Sequence, residues 1–339
     1  MANVRAVFLS GLKVCACWPV ADIWRRAAGL NYLGELIKMI TVNDILCGDC
    51  FNIMQQIDND SIACCITDPP YNYEFIGRSW DETEINRRLD KVKNSSSTLV
   101  KNIPYGSGLA GGVRNARWYD KNRKNILEYQ DWVESWGKEL FRILKPGALV
   151  LIFNSTRTAA HIQVALENAG FYARDILVWR RNSGIPKGIN VSKKLEKMGD
   201  NNAQEWSGWH SCLRNEWEAI VVVQKPLINN YIETLTKHHV GLFQAKDASG
   251  FQSNIIENIK REALDDFNTH PTVKPLELME KLIKLTVPKG YGNIVLDPFA
   301  GSGTTLVAAK NLGIDYLGIE INHAYVNIAQ KRLKMNNLF

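Results

Sequence analysis

Short apolar runs alternate with amphipathic stretches from about residue 39 onward. Asp44 to Cys47 predicts a strand ending at Gly48-Asp49, and Phe51 to Ile57 a helix. Ile62 to Thr67 (Ile-Ala-Cys-Cys-Ile-Thr) is apolar enough to be a strand buried on both faces, with Asp68 at its carboxyl end. Tyr129, Trp132, Val133, Trp136, Leu140, Ile143 and Leu144 recur at helical spacing and are closed by Lys145-Pro146-Gly147. A strand over Ala148 to Phe153, a helix over Thr158 to Ala169, and strands over Asp175 to Trp179 and Glu218 to Gln224 follow, then a helix over Pro275 to Leu285 with proline in its first turn. The C-terminal part reads as strand (Ile294 to Asp297), glycine turn, helix (Thr304 to Leu312), strand (Tyr316 to Glu320) and helix (Ala324 to Leu333). Such alternation predicts an α/β fold with a mostly parallel, doubly wound sheet, ligands gathering at the strands' carboxyl ends.

Two stretches break the rhythm, Asn72 to roughly Asn125 and Asn182 to Ala263, both too long for ordinary connections. They coincide with the chain's basic segments. Ile85 to Asn125 holds ten basic and two acidic residues, and Arg180 to Asp200 six and two, so these segments carry +12 of a formal +6 and the remainder is acidic. A basic face on an acidic body suits a polyanion. Residues 1 to 38 show no clear period, and Lys13 interrupts the one stretch apolar enough for a signal core, so they read as a dispensable extension before a unit spanning 39 to 339. No uncharged apolar run has the roughly 18 residues a membrane span needs. Seven scattered cysteines do not make a disulfide framework and fit a reducing cytoplasm; Cys47-Gly-Asp-Cys50 lacks a second pair at zinc spacing, and no metal is expected.

Two motifs carry chemistry. Asp297-Pro-Phe299-Ala300-Gly301-Ser-Gly303-Thr304-Thr305 follows a strand and opens a helix, so its glycines let the backbone close beneath a ligand at the helix N-terminus. Glu320 ends the next strand, where a carboxylate can accept both hydroxyls of a ribose. Leu306 stands where a dinucleotide fingerprint needs its third glycine, and the Gly-Lys of a phosphate loop is missing, so the turn suits a nucleoside without pyrophosphate. Asp68-Pro69-Pro70-Tyr71 is more specific. Two prolines after a buried strand cannot continue a ladder and fix an exposed corner. There an acid and a proline carbonyl form an acceptor pair for the two donors of an NH2 group, beside a flat ring.

In this order the motifs resemble the S-adenosylmethionine-dependent amino-methyltransferases of DNA, from about Met39 to the C-terminus. The resemblance implies a Rossmann-like methyltransferase fold in the circularly permuted arrangement of the beta group. It makes Asp68, Pro69, Pro70 and Tyr71 catalytic, and places the cofactor on Phe299, Gly301 and Gly303 with Asp297, Ala300, Thr304 and Thr305 around them. His270-Pro-Thr272-Val-Lys274-Pro looks like the family's element before the cofactor strand, with Thr272 and Lys274 on the methionine carboxylate. Cys47-Gly-Asp49-Cys50 looks like its adenine-contacting element, Asp49 accepting from the adenine amine. Glu320, with Asn322 beyond it, matches the ribose acid. Gly184-Ile-Pro-Lys187 and Glu218 to Pro226 also resemble family stretches.

The implied reaction moves a methyl group to the exocyclic amine of a base flipped out of double-stranded DNA. An Asp in first place leans toward adenine N6 and a Ser toward cytosine N4, which leaves cytosine as the alternative. The resemblance puts target recognition in 182 to 263, with 72 to 125 closing on the duplex. Trp80, Trp118, Trp206 and Trp209, in or beside these stretches, are the tryptophans placed to touch bases. Readings from other classes are a catalytically silent DNA-binding subunit, against which the intact Asp68 to Tyr71 speaks, and a nucleotide-dependent oxidoreductase, against which Leu306 speaks. A homodimer and a cognate restriction endonuclease as partners stay open.

Overall fold

The computed structural model describes residues 41–71, 116–181, 188–248, 250–263, 265–270 and 272–335, and residues 116–122 by backbone alone. The extension 1 to 38, most of the first basic stretch with Trp80, and Gly184 to Lys187 lie outside the described residues.

The strands are β1 (Asp44–Cys47), β2 (Ile62–Thr67), β3 (Leu144–Asn154), β4 (Tyr172–Arg180), β5 (Trp217–Gln224), β6 (Lys246–Asp247), β7 (Gly250–Phe251), β8 (Ile255–Ile256), β9 (Ile294–Asp297) and β10 (Asp315–Glu320). Among the described residues, eight form one sheet in the order β1-β10-β9-β2-β3-β5-β4-β8, and β6 with β7 makes a separate ribbon. Neighbours are parallel except β5, which is antiparallel to both β3 and β4. The mostly parallel, doubly wound α/β sheet is therefore present, with one reversed strand.

Helices cover both faces: α1 (Cys50–Met54), α2 (Ala116–Ile143) and α3 (Ala159–Asn168) on one, α6 (Leu276–Thr286), α7 (Thr304–Asn311) and α8 (His323–Met335) on the other, with α4 (Val191–Glu196) and α5 (Tyr231–His238) between them in sequence. Period-two alternation explains the unbroken apolar run of β2: Ala63 and Cys65 pack with Val133, Trp136 and Leu140 of α2, whereas Cys64 and Ile66 pack with Leu282 of α6 and Leu306 of α7.

Three differences from the sequence pattern have local causes. Strand β3 begins at Leu144, because Lys145-Pro146-Gly147 ends the helix by already being extended; Gly147 takes φ +82° and donates its N–H to Pro226 O at 3.1 Å. Pro275 is the N-cap residue of α6 and not part of its first turn: with φ −61° and ψ 136° it is extended, and its missing N–H is one the helix end does not need. Helix α2 starts at Ala116 inside the first rhythm break, and β5 lies in the sheet interior inside the second. The region 182 to 263 is thus two excursions on either side of a core strand.

From β2 the chain passes through α2 to β3; from β9 it passes through α7 to β10, in the opposite direction and over the opposite face. The adjacent ends of β2 and β9 are therefore a topological switch point, where a crevice opens outside the sheet.

Candidate active site

Asp297 ends β9 with its carboxylate turned into the protein. Oδ1 accepts from Thr67 Oγ1 at 2.7 Å and Phe299 N at 3.1 Å, and Oδ2 from Thr305 Oγ1 at 2.5 Å. These donors belong to the last residue of β2, the glycine turn and the first turn of α7, so one acid ties both walls of the crevice together. Its burial outweighs those donors and pushes the carboxyl up to about 6.

The turn itself needs its glycines. Gly301 and Gly303 sit at φ +53° and +79°, and a Cβ on them would lie 2.8 Å from His270 Nε2 and 2.7 Å from Ala329 Cβ. Gly301 N donates to Glu320 Oε2 at 2.9 Å and Asn322 N to Glu320 Oε1 at 2.8 Å, which fixes the acid at the end of β10. Each carboxylate oxygen keeps a lone pair for a ribose hydroxyl. Burial raises the Glu320 carboxyl against the pull of these N–H groups. The backing comes from α8, where Arg332 Nη1 donates to Ser302 O at 2.8 Å and Thr304 Oγ1 at 2.9 Å. Leu306 fits because Gly318 faces it: a Cβ there would stand 2.5 Å from Leu306 Cδ1, so the glycine that allows close helix–strand approach is on the strand.

Across the crevice, Asp68 follows β2. Tyr71 OH donates to Asp68 Oδ1, and Lys274 Nζ donates to Asp68 Oδ2. Lys274 Nζ also donates to Tyr71 OH at 3.1 Å, stands 3.5 Å from Glu218 Oε2, and lies over the Phe153 ring at 4.8 Å. Burial, followed by the Asp68 charge, holds the Tyr71 phenol well above its ordinary range and keeps it protonated. His270 packs edge-on against Tyr325 and accepts from Thr272 N on Nδ1 at 3.3 Å. Burial pushes this imidazole down to about 4, so it is neutral, with its proton on Nε2 beside Gly301.

The residues singled out from sequence thus fall into two sets. Gly301, Gly303, Glu320 and His270 converge on the turn, and Asp68, Tyr71 and Lys274 converge across from it, Pro69 and Pro70 forming the corner between Asp68 and Tyr71. Asp49 is exposed at the end of β1, whose Cys47 lies opposite Glu320, and its Oδ1 caps α1 through Asn52 N at 3.1 Å. Others build the site from behind. The Phe299 ring packs against Trp132 and Trp136. Ala300 is buried with its N–H on Ile319 O. Asn322 Oδ1 caps α8 through Ala324 N. Cys50 is buried with its thiol pushed up to about 12, while Cys47 is exposed, so the two do not form a pair. Thr272 is exposed next to His270. Lys274, which the resemblance assigns to the methionine carboxylate, donates here to Asp68 and Tyr71. Thr67, Arg332 and Glu218 also support the site; Thr67 had a signal in its position directly before the corner and Glu218 in the family-like stretch it opens, whereas Arg332 had none.

A crevice that offers a nucleoside seat at one strand end and an amine acceptor at the next is built for group transfer between them. That is the arrangement of a nucleoside-dependent transferase on a Rossmann-like sheet. Comparison with known proteins makes this specific. Residues 62–331 match the DNA methylase family of the N6/N4 type. M.HindIII, a Type II methyltransferase of Haemophilus influenzae, is 35% identical over 303 residues, covering 84% of this chain and 94% of its own. M.HinfI, a Type II methyltransferase of the same species, is 29% identical over 296 residues, covering 86% and 68%. Among solved structures, M1.HpyAVI in complex with SAM is similar with a TM-score of 0.50 at 23% identity, covering 86% of this chain and 98% of that one. The cytosine-N4-specific PvuII DNA methyltransferase gives 0.53 at 15%, covering 85% of each. The chain belongs to the N6/N4 DNA methylase family, the S-adenosylmethionine-dependent amino-methyltransferases. The turn fits that cofactor: its closed backbone leaves no room for a side chain at Gly301, and Glu320 is fixed with acceptor capacity to spare.

Proposed function

We propose that the chain methylates the exocyclic N6 of adenine at specific sites in duplex DNA, through a unit spanning 39–339. The observation that carries this reading is the Asp68-to-Tyr71 corner, tied through Thr67 and Asp297 to the cofactor turn, with an Asp in first place. An amine in a duplex is out of reach, and its lone pair is delocalised into the ring. The base must leave the stack at a cost of a few kcal/mol, offset by stacking and hydrogen bonds in the pocket. Tyr71 offers its ring to the base. The Asp68 carboxylate and Pro69 carbonyl accept the two N–H bonds, which turns the nitrogen toward a tetrahedral form and aims its lone pair along the line of transfer. S-adenosylmethionine supplies an electrophilic methyl on its sulfonium. Glu320 holds the ribose hydroxyls, Asp49 accepts from the cofactor's adenine amine, and Thr272 binds the methionine carboxylate. DNA is held by the stretches 72–125 and 182–263 through the basic segments Ile85 to Asn125 and Arg180 to Asp200. In the second stretch, Trp206 and Trp209 are 45% and 62% exposed with rings 5.9 Å apart, and Trp209 O accepts from Val191 N at the start of α4, the helix that carries Lys193 and Lys194.

The test is to incubate the protein with labelled S-adenosylmethionine and DNA, digest to nucleosides and identify the labelled base. N6-methyladenine is expected; N4-methylcytosine would correct the target, and absence of label would favour a silent DNA-binding subunit. Asp68→Ala should bind cofactor and lose transfer.

A further inference from the structure

Each oxygen of Asp68 already carries one protein donor, Oδ1 from Tyr71 OH and Oδ2 from the Lys274 ammonium. A neutral amine donating to that carboxylate competes with an ammonium, and the charged donor makes the stronger bond. Lys274 therefore needs a second seat, and Glu218 supplies it. This acid lies near the start of β5, paired with Trp179 of β4, and its side chain is 15% exposed. Its Oε1 accepts from Arg181 Nη1 at 2.8 Å, which anchors the group. Its Oε2 is buried and accepts no hydrogen bond among the described residues, although it stands 3.5 Å from Lys274 Nζ. A buried acceptor with unused capacity is costly unless something fills it at some stage. Moving the ammonium by under about an ångström would close that gap to an ordinary charge-assisted length of ~2.8 Å.

We propose that Glu218 is a positioning residue for methyl transfer: it takes Lys274 from Asp68 as the target amine arrives, so that Asp68 is free to accept from the amine. The proposal rests on the role given above to Asp68. The ammonium passes from one carboxylate to the other, and the pocket's charge does not change as it shifts. The Phe153 ring, its centroid 4.8 Å from the ammonium, adds a cation–π contact that is independent of which acid holds it. This is a different task from binding the methionine carboxylate, and the two predict different kinetics.

The experiment uses the full chain and compares the wild type with Glu218→Gln, Lys274→Met and the double variant. It measures the dissociation constant for S-adenosylmethionine and the single-turnover transfer rate at saturating cofactor and DNA. Glu218→Gln leaves Lys274 on Asp68 and should slow transfer on the order of tenfold to a hundredfold, with cofactor affinity within about twofold of wild type. Removing the competitor as well should recover at least about tenfold of that loss in the double variant, a rescue that a merely structural ion pair does not give. If Glu218→Gln does not fold, Glu218→Asp, which keeps a charge for Arg181 but shortens the reach to Lys274, should show the same slowing and the same rescue. A double variant no faster than the single one overturns the proposal. So does a tenfold loss of cofactor affinity in Lys274→Met, which returns that residue to the methionine carboxylate. Asp68→Ala separates the two layers: retained turnover removes the role of Asp68 itself, whereas a silent Asp68→Ala with no rescue removes only the role of Glu218.

Discussion

Gly303→Ala isolates what close helix packing contributes to the cofactor turn. At φ +79° an alanine pays about 1–2 kcal/mol for the left-handed conformation. Its Cβ would also stand 2.7 Å from Ala329 Cβ and 3.3 Å from Ala329 Cα, atoms of the α8 backbone and its first carbon, which have no rotamer with which to retreat. Overpacking of that kind costs about 1–3 kcal/mol, giving a total of about 2–5 kcal/mol. Gly313 is the internal control. Its φ is +66°, nearly the same, but nothing lies within 4 Å of a Cβ there, so Gly313→Ala should carry the backbone cost alone. For a chain of this size each kcal/mol corresponds to about 2 °C. Thermal denaturation should then show losses of about 4–10 °C for Gly303→Ala and about 2–4 °C for Gly313→Ala. Titration with S-adenosylmethionine should separate them further. Pushing α8 outward withdraws Arg332 from Ser302 and Thr304, so Gly303→Ala should weaken cofactor binding, and Gly313→Ala should not. Equal losses of Tm in the two variants would refute the close-approach reading.

Arg332→Met leaves Ser302 O and Thr304 Oγ1 without their buried donor, at a cost of about 1–3 kcal/mol; KM for S-adenosylmethionine should rise several-fold while kcat at saturation stays near wild type, and a fall in kcat alone would contradict this. Duplex binding should weaken with salt along a log–log slope near about −5 if some six phosphates are neutralised by the basic stretches; a flat dependence would remove them from the interface. His270, lowered from 6.5 to about 4 mainly by burial, stays neutral in the fold while the unfolded chain protonates, so it loses stability as pH falls from about 6.5 to about 4. Asp297, raised from 3.8 to about 6 mainly by burial, binds its proton earlier in the fold and gains stability as pH falls through about 6 to 3.8, so the two offset; Asp297→Asn should steepen the acid loss of Tm, and an unchanged slope would contradict the assignment.

The pattern of the sheet was legible because parallel strands buried on both faces have a signature that survives without tertiary knowledge. Ile62 to Thr67 is apolar at successive positions, and both helical layers need that. The Asp68 corner was legible for a related reason: two prolines after such a strand can only leave the sheet. The ends of elements were less so. Lys145-Pro146-Gly147 has the composition of a helix stop, yet it also serves as the first part of β3, because a glycine at φ +82° lets the chain turn and pair at once. Glu218 to Gln224 was legible as a strand, but its place in the sheet was not, for a topological reason. A strand reversed between β3 and β4 has no sequence mark that says where in the sheet it will insert.

The site divides along a physical line that sequence does not draw. Asp297 and Glu320 both end strands of the crevice, and their positions in the motifs make them equally plausible ligands. Asp297 spends its carboxylate on Thr67, Thr305 and Phe299 N, donors that meet only once β2 and β9 lie side by side. Glu320 spends one bond per oxygen on backbone N–H groups and is held facing the turn. The first acid therefore builds the turn, and the second is the one proposed to meet the cofactor. Removing Asp297 should disturb the fold of the turn before it disturbs any contact with the cofactor. The same count applied to Asp68 and Glu218 gives the opposite ordering from their motifs. Asp68 carries one donor on each oxygen, one of them a charged ammonium, whereas Glu218 has an oxygen with none. Free capacity in a buried acceptor reports where a donor will go, and here it points from Lys274 toward β5.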